Sequence, residues 1–138
     1  MMRKFYILFI FAVLSFVAVL EYYATLNFWY WRFWWFDMIM HTLGGLSVGL
    51  TALWIIFLRQ SKHSKEMRVL SVVLIALAAI SAVGVGWEVF EIIAHRIFNL
   101  QIGGGWNTVS DLFFDLIGSS VAVIIFLMVY NKVKPSLS

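Results

Sequence analysis

Four long apolar runs, each almost free of charge, take up most of this 138-residue chain, and a lipid bilayer is the solvent in which such runs fold. A spanning helix needs about 20 mostly apolar residues. Runs of that kind cover residues 5–26, 36–58, 69–98 and 110–130. With 63% hydrophobic and only 12% charged residues, a charged shell around an apolar core cannot be drawn from this chain. Inside lipid each backbone N–H and C=O must find its partner within the protein, and a helix does this segment by segment. The sequence therefore predicts an all-α, four-helix transmembrane bundle, a single membrane domain over residues 1–138, placed in the cell membrane as a multi-pass protein. The start at Arg3 and Lys4 is like that of a signal peptide. Glu21, Tyr22 and Tyr23 stand where a cleavage site would need small residues, so the first run reads as an uncleaved anchor.

Lys and Arg in the short loops and tails set the orientation. Arg3, Lys4, Arg59, Lys62, Lys65, Arg68, Lys132 and Lys134 fall on one side, against Arg32 and Arg96 on the other, which predicts both termini in the cytoplasm. These basic residues flank apolar spans, so the net charge of +3 implies no nucleic-acid partner. Residues 28–36, rich in Trp and Phe, then lie at the outer interface as headgroup anchors. The other outer loop, 101–107, reads as a linker, with Asn107 or Thr108 as the cap of the fourth helix. The lone proline, Pro135, lies in the tail, so glycine is the expected source of any kink. The absence of cysteine excludes disulfides, thiolate metal sites and cysteine nucleophiles.

Carboxylates inside spans are costly and mark function by default. Five of the seven acids, Asp37, Glu88, Glu91, Asp111 and Asp115, fall in or beside spans. Helical spacing places them on shared faces. Asp37 and His41 are four apart, Ser81, Gly84, Glu88, Glu91 and His95 advance by three or four, and Asp111 and Asp115 are again four apart. Alternating helix direction puts Asp37, Glu91 and Asp111 at one depth and His41, Glu88 and Asp115 about one turn deeper. His95 falls nearest the outer surface. Gly44, Gly45, Gly49, Gly84, Gly86 and Gly118 below them suit close helix contact.

The segments Phe36-Asp37-Met38-Ile39-Met40-His41-Thr42-Leu43-Gly44-Gly45, Trp87-Glu88-Val89-Phe90-Glu91 and Trp106-Asn107-Thr108-Val109-Ser110-Asp111-Leu112-Phe113-Phe114-Asp115-Leu116-Ile117-Gly118 resemble motifs of small polytopic membrane proteins of the YjdF-like and VanZ-like type. The resemblance spans residues 36 to 118. Met38 stands where a VanZ-like protein typically has Lys, and Glu91 where it has Gln, so the likeness leans to the YjdF-like side. Asn107 replaces an Asp of some relatives. The resemblance implies the fold and marks the polar cluster, and it names no reaction.

Five carboxylates packed together need neutralisation by cations, protons or a carboxyl–histidine network. Oxygen and imidazole donors on facing helices suit one or two divalent ions of Zn, Mn, Fe or Mg, with Asp37, His41, Glu88, Glu91, His95, Asp111 and Asp115 as candidate ligands. Glu88 and Glu91 are also candidate catalytic residues, as proton acceptors for a metal-dependent hydrolase or transferase acting on a lipid-linked substrate. A proton or ion carrier and a non-catalytic accessory or binding subunit are the alternatives. A purely structural hydrogen-bonded network is the plainest reading of the same acids. For Glu21 the plain reading is a helix-end charge, and for His63 a solvated loop residue. Four short helices are compatible with homo-oligomerisation.

Overall fold

The computed structural model describes residues 2–58, 68–98 and 105–133. Among them, regular structure is entirely helical: α1 (Met2–Leu26), α2 (Trp29–Arg32), α3 (Phe36–Leu53), a π-helical turn at Trp54–Leu58, α4 (Val69–Phe98) and α5 (Gly105–Val133). Four of these helices are long and apolar enough to cross a membrane, over Lys4–Leu26, Phe36–Phe57, Val69–Ile93 and Thr108–Tyr130. Large apolar side chains such as Phe5, Leu8, Phe11, Leu74, Val85, Phe90 and Phe113 are exposed. That is a core turned outward, as lipid allows and water does not.

Three features differ from the sequence expectation. The fourth spanning helix starts at Gly105, ahead of both Asn107 and Thr108, so neither is its cap. The second span leaves α geometry in a π turn at Trp54–Leu58, which contains no glycine; insertion of a π turn, not a glycine hinge, breaks the regular ladder. The aromatic segment of residues 28–36 is folded, with α2 at its centre. Three hydroxyls within the spans are satisfied inside their own helix, as Thr42 donates to the Met38 carbonyl, Ser47 to Leu43 and Ser120 to Leu116.

α3 and α5 form the central pair, α4 packs on both, and α1 lies mainly along α3. Glycine sets the intimacy of the central pair. A methyl group at Gly45 would overlap the Asp115 carbonyl, and one at Gly118 would overlap the Thr42 carbonyl and lie 2.7 Å from the Leu46 nitrogen. Backbone meets backbone there, as small residues permit between membrane helices. Gly86, by contrast, has nothing among the described residues within 4 Å of where its Cβ would be, so it takes no part in their packing. Away from the acidic residues, Tyr6, Ile10, Leu50, Leu53, Val72, Ala76, Ala122 and Phe126 close into one apolar cluster. Tyr6 meets Phe126 edge-on at 6.2 Å and donates its hydroxyl to the Leu50 carbonyl at 3.4 Å. The bundle is thus apolar and closed in the half bearing Tyr6, and polar in the half bearing Asp37.

Candidate metal centre

His41 is the hub of the polar half. It projects from the second turn of α3, four residues after Asp37, which sits in the first turn where the helix dipole favours a negative charge. Asp111 and Asp115 reach it from α5, again one turn apart. The backbone approaches of Gly45 to Asp115 and of Gly118 to Thr42 and Leu46 bring α3 and α5 close enough for this. His41 Nδ1 lies 3.3 Å from Asp115 Oδ1, at hydrogen-bond range, while Nε2 lies 3.7 Å from Asp37 Oδ1 and 3.8 Å from Asp111 Oδ2. The last two separations are too long for hydrogen bonds. Two ligands about 2.1 Å from one tetrahedral ion sit roughly 3.4 Å apart, close to what is seen around Nε2.

One ligand atom each from Asp37, His41 and Asp111 falls within 4.8 Å of the others. Burial deepens inward, from Asp37, whose side chain is 29% exposed, through His41 at 11% to Asp111 at 2%. Among the described residues, Asp111 Oδ1 is enclosed with no hydrogen-bond partner. A carboxylate oxygen taken from water and left unpaired is expensive, so this atom calls for a cation or a proton.

The other residues that the sequence singled out are distributed around this triad. Asp115 holds the far nitrogen of His41 and stands outside the three-residue group. Glu88 is buried and accepts a 2.6 Å hydrogen bond from Thr108. Glu91 is half-buried and accepts the indole N–H of Trp87 at 2.9 Å. Both glutamates lie within electrostatic reach of Asp111. The side chain of His95 lies outside the described residues.

The depth register of α4 departs from expectation by about one turn. Gly84, not Glu88, stands opposite Asp115, and a Cβ there would come 2.9 Å from Asp115 Oδ2. The missing side chain makes room for the carboxylate, and Glu88 is left level with the first turns of α5, where Thr108 meets it. Sequence reasoning had assigned Thr108 to capping; its position three residues before Asp111, on the same helical face, was the signal for a role in the site. Trp87 was likewise legible as the residue four before Glu91. Tyr30 carried no signal. It donates a hydrogen bond to Glu21 and lies within electrostatic reach of Asp37 and Glu91.

The sequence profile of a family described as predicted membrane protein (DUF2238) matches residues 2–132, nearly the whole chain. Neither the curated proteins nor the solved structures contain a match.

Proposed function

The chain belongs to the DUF2238 family of predicted membrane proteins, and from that premise we propose that it is a divalent-cation-dependent hydrolase or transferase acting on a lipid-linked substrate at the extracytoplasmic surface. The observation that carries this reading is the pairing of Asp111 Oδ1, buried without a partner among the described residues, with a His41 Nε2 that faces two carboxylates beyond hydrogen-bond distance. If His41 donates its Nδ1–H to Asp115, Nε2 is left as a lone-pair donor toward Asp37 and Asp111. This is the carboxylate–histidine–metal arrangement in which a second carboxylate fixes the ligating tautomer. Asp37, His41 and Asp111 are then the ligands, and Asp115 orients His41.

A divalent ion held there supplies Lewis-acid polarisation of a carbonyl or phosphoryl oxygen. Glu88, positioned by Thr108 and electrostatically coupled to Asp111, is the proton acceptor of this reading. Glu91 is the more exposed reserve. Asp37 and Asp111 stand within a turn of the ends of their spans, so a bound substrate would be met at headgroup depth. The closed apolar half around Tyr6, Leu50 and Phe126 favours a one-sided site over a carrier, which needs polar groups along its whole path. Within the earlier resemblance, the YjdF-like side fits this family better than the VanZ-like side.

Purified protein is expected to contain Zn, Mn, Fe or Mg in near-stoichiometric amount and to lose it in chelator with a lower Tm. At 100 times the Kd, restored cation should return about 2.7 kcal/mol of stability. If none co-purifies and added ions leave Tm unchanged, the metal reading fails and a proton network takes its place. The orientation has its own test. Tags at Met1 and Ser138 should both report from the cytoplasm, and residues 28–35 should label from outside. External labelling of Lys62 and Lys65 would invert the topology and move the site to the other face.

A further inference from the structure

The link between α1 and α2 contains the one bulky strained residue among those described. Phe28 has φ 56° and ψ 37°, in the left-handed region, and is the sole non-glycine described residue with positive φ. That region costs any residue bearing a Cβ, and an aromatic side chain has no local hydrogen bond to offset it, as Asn would. Helices commonly end on a residue in this conformation, but that residue is usually glycine. Here α1 ends with the Asn27 amide on the Tyr23 carbonyl at 3.0 Å, Phe28 turns the chain, and α2 begins at once.

What holds the turn is Tyr30. Its hydroxyl donates to Glu21 Oε2, on the last turns of α1, while Thr25 donates to the other oxygen of the same carboxylate at 3.2 Å. Burial, and the Glu21 carboxylate beside it, push the Tyr30 phenol well above its ordinary range, so it remains a donor. Its ring meets Phe36 edge-on at 5.0 Å, and Trp29 meets the same ring at 5.5 Å. Phe36 is the residue before Asp37, the most exposed of the three ligands, so α2 lies beside the mouth of the site.

We infer that α2 is a cap at the mouth of the cation site, latched by the Tyr30–Glu21 hydrogen bond and opened when Phe28 leaves its left-handed conformation. The latch works against the strain. Loss of the phenol hydroxyl frees α2, whereas removal of the Phe28 side chain relieves the closed state of its penalty and holds the cap shut. The role of the cap as a gate rests on the cation site proposed above; the latch itself does not.

The two claims are separated by two measurements on the full chain in lipid nanodiscs. Without added metal, hydrogen exchange of the Trp31, Arg32 and Phe33 amides, bonded to the Phe28 and Trp29 carbonyls, reports cap opening. Tyr30→Phe should speed that exchange about tenfold, the factor that a charge-assisted hydrogen bond supports. Phe28→Gly should slow it by roughly the same factor, and Phe28→Asn, which tolerates this conformation while keeping a side chain, should slow it less. Equal exchange in all four proteins, or acceleration by Phe28→Gly, overturns the latch. With Zn²⁺ loaded, release into a fluorescent chelator should quicken in Tyr30→Phe and slow in Phe28→Gly. Altered exchange with unaltered Zn²⁺ release overturns the gate. If the wild-type protein takes up no Zn²⁺, the gate falls with the site, and the exchange data still decide the latch.

Discussion

Gly118→Ala is expected to cost about 3 kcal/mol or more and to abolish the fold in a large share of molecules. The added methyl would overlap the Thr42 carbonyl and crowd the Leu46 amide nitrogen of α3, and these are backbone atoms that no rotamer change can move aside. Relief requires α3 and α5 to separate. Separation would also draw Asp111 and Asp115 away from His41, so the variant should lose cation binding along with stability. Gly86→Ala is the matched control. Its Cβ would meet nothing among the described residues within 4 Å, so both properties should stay at wild-type values. Thermal unfolding in a fixed detergent, followed by metal content of the surviving fraction, checks the pair. A Gly118→Ala protein as stable as Gly86→Ala would show that the α3–α5 contact is not the joint on which the bundle depends.

The second large effect is expected at Asp111. Changes in residues that merely orient a ligand typically cost 10–100-fold in metal affinity, so removing a ligand outright should cost about a hundredfold or more. Asp111→Ala should therefore abolish stoichiometric metal while Asp115→Asn, which keeps a partner for His41 Nδ1, weakens it by about tenfold. Stability separates this from the rival reading. If Asp111 is held as a protonated acid in a hydrogen-bond network, Asp111→Asn is nearly isosteric, leaves Tm unchanged, and the wild-type Tm does not respond to cations. If a cation is the partner, Asp111→Asn removes the cation-dependent increment of Tm. Equal metal content in wild type and Asp111→Ala would exclude Asp111 as a ligand.

The sequence by itself determined the four spanning helices and the polar faces of the second, third and fourth. Lipid forces both: an apolar run must close its own hydrogen bonds, and a costly carboxylate must turn from lipid toward a partner. Helical period then put Asp37 with His41 and Asp111 with Asp115 without reference to any neighbour. Tertiary structure decided what period cannot reach. How far α4 slides along α5 is set by the room that Gly84 leaves for the Asp115 carboxylate, and that slide delivers Glu88 to Thr108. Which of the candidate ligands among the described residues come together depends on the closeness of α3 and α5 at Gly45 and Gly118, and it groups Asp37, His41 and Asp111. The fold of residues 28–36 was hidden because aromatic residues at a membrane surface have an adequate reason to be there as anchors. Only the left-handed turn at Phe28 brings Tyr30 back to Glu21, and such a turn leaves no trace in a residue type that ordinarily avoids it.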